Sequence, residues 1–209
     1  PLEPKAQPNV QGEVILDDIA CASAKLCVAV DDIGQALVSS NPTGGAKAWH
    51  PVVVSDIEIE AVGCSASGTC AAVDYNGRVF STTHPAAAWT GGDVSVQTAA
   101  GSDAGVSCAG NGVCAVVSGI GKIAITTSSG TSNWHLTNVK GGCWQGISCP
   151  TTHRCVAAGS NRKGGGTVAF SKGASGCKSS GLGQNVSPKV SCASASSCFI
   201  VSNYSSSHP

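Results

Sequence analysis

Cys21-Ala22-Ser23-Ala24-Lys25-Leu26-Cys27 runs straight into Val28-Ala29-Val30-Asp31-Asp32-Ile33-Gly34, and this stretch decides the fold. Two cysteines with five residues between them can face each other across a tight hairpin, within disulfide reach. A β-prone run follows, and Asp and Gly then supply a turn. The same Cys-x5-Cys spacing returns four times: Cys64 with Cys70, Cys108 with Cys114, Cys149 with Cys155, and Cys192 with Cys198. Successive first cysteines stand 41–44 residues apart. A fixed period of that size is the mark of a repeat architecture.

Each copy adds a second β-prone run after its turn, such as Ala36-Leu37-Val38-Ser39 or Arg78-Val79-Phe80-Ser81. A small-residue loop then leads to Trp49, Trp89 or Trp134 and to a further run before the next cysteine pair. No stretch carries the 3.6-residue apolar period of a long helix. Four short strands per unit of about 43 residues, repeated radially, describe a β-propeller. The sequence therefore predicts an all-β, five-bladed propeller, one domain over residues 1–209, with one disulfide per blade. The expected bridges are Cys21 to Cys27, Cys64 to Cys70, Cys108 to Cys114, Cys149 to Cys155 and Cys192 to Cys198. The fifth copy, from Val190 to Pro209, reads as stopping after its third strand. Residues 1–16, ending Glu13-Val14-Ile15-Leu16, are expected to complete that blade and close the ring. An open solenoid of the same period is the alternative, but solenoids need polar caps.

Twelve cysteines, an even number, point to disulfides and a secreted, extracellular location. Zinc is disfavoured because no Cys-x-x-Cys occurs. Cys177 stands in the fourth copy where the others carry tryptophan, and Cys143 is its expected partner in a sixth bridge. No apolar run is long enough to span a membrane. A cleaved signal peptide is expected, and Asn203-Tyr204-Ser205 is a glycosylation sequon.

The net charge of zero hides a split. All twelve carboxylates lie at or before Asp103, against four basic residues, so residues 1–104 carry −8 and residues 105–209 carry +8. Such asymmetry suits a polyanion, a guided partner or head-to-tail self-association. Nucleic acid is disfavoured because it would need denser charge with aromatic platforms, and only Trp144 lies close to the basic residues.

The candidate ligand-binding residues are Trp144, Arg162, Lys163, Arg154, His84 and His135. Trp144 falls outside the tryptophan pattern and reads as a single exposed aromatic. Trp49, Trp89 and Trp134 read as packing residues between blades. Arg162 and Lys163 sit in a Gly-rich turn. No catalytic residue, metal ligand or cofactor site is assigned. A glycosidase would need paired carboxylates, and the last three copies contain none apart from Asp103 at their border.

Ser39-Ser40-Asn41-Pro42-Thr43-Gly44-Gly45-Ala46-Lys47-Ala48-Trp49 and Ser81-Thr82-Thr83-His84-Pro85-Ala86-Ala87-Ala88-Trp89 resemble the Asp-box hairpin of sialidase-like propellers, without its Asp. The repeat also resembles secreted actinobacterial propeller repeats. The resemblance implies fold and location and carries over no catalytic residue. The expected function is a secreted ligand-binding propeller. Its first expected ligand is carbohydrate, held lectin-like at repeated inter-blade sites with avidity from multivalency. The alternative is a protein-interaction scaffold or inhibitor using the disc face, with a secreted or cell-surface protein as partner. Glycoside hydrolysis comes last.

Overall fold

A computed structural model of the chain describes residues 14–96, 104–126, 133–138, 143–160, 165–171, 177–184 and 186–204. It is all β apart from one 3-10 turn at Ala46–Ala48. Four antiparallel sheets of four strands follow one another. The first holds β1 (Leu16–Ser23), β2 (Leu26–Asp31), β3 (Gln35–Ser39) and β4 (His50–Val53). The second holds β5 (Ile59–Cys64), β6 (Cys70–Asp74), β7 (Arg78–Thr82) and β8 (Thr90–Ser95). The third holds β9 (Gly105–Cys108), β10 (Cys114–Val117), β11 (Lys122–Thr126) and β12 (Trp134–Asn138). The fourth holds β13 (Cys143–Thr151), β14 (Arg154–Ser160), β15 (Gly165–Ser171) and β16 (Cys177–Gln184). A last sheet of two strands pairs β17 (Val186–Ser194) with β18 (Ser197–Tyr204). β18 is the second strand of its copy, and the rest of that copy, 205–209, where the sequence reading ends its third strand, lies outside the described residues. Of the segment expected to complete this sheet, residues 1–13 also lie outside them, while Leu16 already belongs to β1 opposite Asp31.

The repeat cysteines do what their spacing requires. Cys21 is bonded to Cys27, Cys64 to Cys70, Cys108 to Cys114, Cys149 to Cys155 and Cys192 to Cys198, with Cα atoms 3.9–4.1 Å apart. Each bridge spans the first hairpin of its sheet. In four sheets the bonded cysteines are direct partners across the ladder. The fourth sheet departs from this. Its register shifts between Ser148 and Thr151, around Cys149, much as the first and last sheets shift just after Cys21 and Cys192. Cys149 and Cys155 are buried in the core between the third and fourth sheets. Cys192 and Cys198, in the two-stranded sheet, are only half-buried.

Closing so small a loop is worth roughly 2 kcal/mol in the chain-entropy view. Replacing Cys64 and Cys70 together by serine should therefore lower Tm by roughly 4–8 °C, measurable by calorimetry. An unchanged Tm would mean the bridge only decorates a hairpin already held by its neighbours.

The sixth bridge is not formed. Cys143 carries a free thiol. It pairs with Ser160, at the end of the sheet where Gly166 and Gly183 lie, whereas Cys177 pairs with Ser171 at the other end. Antiparallel register thus sets the two cysteines at diagonal corners, about 20 Å apart by strand rise and spacing, beyond any disulfide. The side chain of Cys177 lies outside the described residues.

The turns between second and third strands follow from their sequence. Asp31 Oδ1 accepts the N–H groups of Ile33 and Gln35, and Asp74 Oδ1 those of Asn76 and Arg78. Gly34 and Gly77 close these turns at φ 86° and 75°, a region glycine enters without a Cβ clash.

The first strands of successive sheets lie side by side, in the order β1, β5, β9, β13, β17. They approach closely because small residues face one another: a Cβ on Gly105 would stand 3.2 Å from the Gly146 Cα, and one on Gly146 3.4 Å from the Lys189 Cα. Each first strand is also the edge strand of its sheet, and in β5, β13 and β17 a side chain of the preceding sheet's first strand caps an edge N–H. Asp18 Oδ2 accepts from Val62 N–H at 2.9 Å, Ser107 Oγ from Cys149 N–H at 2.9 Å, and Ser148 Oγ from Cys192 N–H at 3.0 Å.

A β-bulge recurs four residues before the first cysteine, at Asp17, Glu60 and Gln145. The extra residue puts the side chains on either side of it, three apart, onto one face, where strict alternation would oppose them. That is why Ile59 with Val62, and Trp144 with Ile147, all enter the cores between sheets.

Candidate functional site

The bulges stand at the turn end of the sheets, beside the close-packed first strands. Asp17 is the centre of a group of carboxylates there. Its side chain still reaches solvent, yet partial burial, then the charges of Glu58, Asp32, Asp31 and Asp18, push it up to about 6. Local bonds fix this group. Ile15 N–H donates to Asp32 Oδ1 at 3.0 Å, Asp32 N–H to the Ile15 carbonyl at 3.1 Å, and Tyr75 N–H to the Glu58 carbonyl at 3.0 Å. Burial also raises Asp31 and Asp18, partly offset by the backbone N–H groups that each accepts.

Beside this group one cation, Arg78, pairs with two carboxylates. Arg78 Nε reaches Asp74 Oδ2 at 2.6 Å, its Nη2 pairs with Asp56 and with Ser55 Oγ, and Ser55 Oγ donates to Asp74 at 3.0 Å. The hydrogen bond from Arg78 holds the exposed Asp56 carboxyl below its usual range. The guanidinium also lies over the Phe80 ring, 5.8 Å from its centroid. Arg78 is thus committed to Asp56 and Asp74, and the carboxylates around Asp17 keep a net negative field. Among the described residues no group of three or more His, Cys, Asp or Glu side chains is placed to hold a metal. The chemistry this group offers is attraction of a cation.

The residues singled out from sequence do not converge. Trp144 is 0% exposed, locked between the third and fourth sheets against Ala115, Val117 and Ile147. It is therefore not the exposed platform expected of it. Its place matches Leu16 and Ile59, five before the first cysteine, and the bulge after it turns it inward. Trp89 and Trp134 pack against inter-sheet cores, as expected. His84 is exposed in the second sheet's outer loop, its Nδ1 within 3.0 Å of Thr83 Oγ1. His135 lies exposed on β12 opposite Ile125, and Arg154 exposed at the start of β14. These three belong to three different sheets. Arg162 and Lys163 lie outside the described residues.

Two recurrent signals went unread: a polar residue four before the first cysteine, which marks the bulge, and the Ser-Cys dipeptides at Ser107 and Ser148, which mark the edge caps.

Neither a family model nor a curated protein matches the sequence. Solved structures do. YCF48 bound to D1 peptide is similar at TM-score 0.63 and 13% identity, over 93% of this chain and 62% of that one. A chain of the mitotic checkpoint complex is similar at TM-score 0.67 and 8% identity, over 95% and 60%. The RRP9 WD40 repeats give 0.56 and 11%, over 76% and 49%. These likenesses, with the serial four-stranded sheets, define a β-propeller-type fold. The chain spans less than two thirds of the length of each of these three structures.

Proposed function

We propose that this protein is an extracellular propeller-type scaffold that binds a protein partner through a cationic, extended segment laid across the carboxylates around Asp17. The observation that carries this reading is the raised Asp17, whose cause is a gathering of like charge beside a bulge. Fixed acids at the end of close-packed strands attract Lys and Arg side chains and steer their approach. One of the similar structures is a complex with a peptide and another belongs to a multiprotein complex, which supports the scaffold class. The five bridges support an extracellular location. The carbohydrate reading has lost its aromatic platform with Trp144 buried, and no observation favours it.

The test is fluorescence anisotropy with a lysine octapeptide and a glutamate octapeptide, in about 0.02 M and about 0.3 M salt, on either side of strong screening. The lysine peptide should bind and weaken with salt. The triple variant D17N/D32N/E58Q should bind it roughly tenfold less, as expected from three solvent-facing pairs of up to about 1 kcal/mol each. Equal binding of both peptides, or no loss in the variant, would sink the reading.

The pH dependence has a defined sign. Asp17 loses its charge as pH falls through about 6, so lysine-peptide binding should drop between about pH 7 and about pH 5. Its folded value lies above the ordinary value of 3.8, so the stability given by the protonated form is present at low pH and lost as pH rises through about 6. Asp17→Asn should raise Tm at pH 8 and leave it nearly unchanged at pH 4. A uniform shift at both values would contradict this assignment.

A further inference from the structure

The four-stranded sheets end in the outer strands β4, β8, β12 and β16, and among the described residues no further strand pairs with them. Such an edge accepts any extended chain, and proteins guard it with proline, charge or a kink. One place can be followed across all four sheets. It lies in line with the residue two after the second cysteine, namely Ala29, Ala72, Val116 and Ala157. On the outer strands that place is held by Pro51, Gly91, Leu136 and Ser179.

Three of the four edges are guarded there. Pro51 has no N–H to offer. Gly91 holds φ 142°, and the ladder beside it shifts register between Arg78 and Phe80. Ser179 directly follows Lys178, a residue type that edges use as a guard. The third sheet has none of these devices. β12 reads Trp134-His135-Leu136-Thr137-Asn138, without proline, glycine or a charged residue, and its ladder with β11 runs without a shift. The first and third sheets even share the pair before this place, Trp49-His50 and Trp134-His135, and differ at proline against leucine.

The backbone direction at Leu136 follows from the first sheet. Val54 N–H donates inward to the Gly34 carbonyl at 3.0 Å. Alternation along the strand then turns the nitrogen of residue 51 outward, which is why proline fits there. Leu136 holds the same place, so its N–H and carbonyl face away from β11, as do those of Trp134 and Asn138. Leu136 is also 45% exposed, two residues from Trp134, which packs against the inter-sheet core.

Charge selects the partner. Residues 105–209 hold eight basic residues and no carboxylate. Lys122 stands opposite Asn138 at one end of β12. An acidic strand meets attraction here and no like charge from its own half of the chain. Pairing β12 with β12 of a second copy would bring two halves of +8 together.

We propose that β12 takes an extended acidic segment of a partner protein as a fifth strand of the third sheet. Main-chain bonds form at Trp134, Leu136 and Asn138, and an apolar side chain of the segment lies beside Leu136. This edge belongs to another sheet than Asp17, and the proposal does not depend on the carboxylate site binding anything.

The probe is a fluorescent Glu-Val-Glu-Val-Glu-Val peptide, followed by anisotropy. It should bind the unaltered protein. Leu136→Pro puts the first sheet's residue into the third and removes an outward N–H alone. It should keep the Tm of the unaltered protein and weaken the peptide at least about tenfold. Equal affinity in Leu136→Pro, or no binding to the unaltered protein, would overturn the proposal. A second reading needs no variant to fold. The peptide is N-methylated at every valine in one version and at every glutamate in another. One of the two should bind at least about tenfold less, and full affinity in both would rule out strand addition. Any binding of a Lys-Val-Lys-Val-Lys-Val peptide should be indifferent to Leu136→Pro. A loss equal to that of the glutamate peptide would refute the acidic choice of partner. Sedimentation covers the other occupant: a dimer of the unaltered protein that Leu136→Pro dissociates would assign the edge to a second copy and overturn the proposal.

Discussion

Trp144→Ala should cost roughly 3–5 kcal/mol of folding stability, the largest single-residue loss expected in this protein. For a chain of this size that is a fall in Tm of roughly 8–15 °C. The side chain is fully buried, so its removal deletes the transfer gain of an indole and leaves a cavity the rigid sheets cannot fill. The cavity would open between Ala115 and Val117 on one side and Ile147 on the other. Trp144→Phe keeps most of the packing and should recover more than half of the loss. Binding of the lysine peptide by the folded fraction should stay unchanged, because Trp144 faces the core and not the carboxylates. Near-native Tm with lost binding would restore the exposed-platform reading and contradict the buried one.

The second large effect comes from Arg78. Asp74 is 0% exposed and takes hydrogen bonds from the turn, from Ser55 and from Arg78. Arg78→Met removes the cation but leaves the carboxylate in the interior. Asp74 is buried but the Arg78 side chain is 32% exposed, so losing the cation costs roughly 1–3 kcal/mol, the range for a buried polar group that loses a partner. Asp74→Asn added to Arg78→Met should then recover a large part of that loss. The amide keeps an oxygen for the backbone N–H groups at positions 76 and 78 and carries no charge. A double variant no more stable than Arg78→Met would mean that the guanidinium acts through its packing over Phe80 and not through Asp74. Urea denaturation of the three proteins decides between the two.

Much of the fold was legible because the cysteines leave little freedom. Five residues between two bridged cysteines allow a hairpin and little else, and the turn at Asp74-Tyr75-Asn76-Gly77 names its own geometry. What escaped was set by single-residue events that a period does not show. One inserted residue at Gln145 carries Trp144 from the expected surface into the core. Counting cysteines suggested a sixth bridge, and strand register removed it. The charge split was plain in the sequence. Its concentration around Asp17 was not, because that depends on the bulge, the Asp32 turn and Glu58 meeting in space. The carboxylate site was therefore half visible: its residues could be counted among the acids of the first half, and their convergence was not foreseen.

Each of the five bridges, from Cys21–Cys27 to Cys192–Cys198, joins neighbouring strands inside one sheet, and none ties one sheet to the next. The unit of inheritance is thereby self-sufficient in its thiols. Duplicating or deleting one stretch of 41–44 residues adds or removes both partners of a bridge together and orphans neither. A lineage built on this pattern can gain or lose whole sheets in an oxidising compartment without passing through a form that exposes an unpaired cysteine of the repeat to wrong partners.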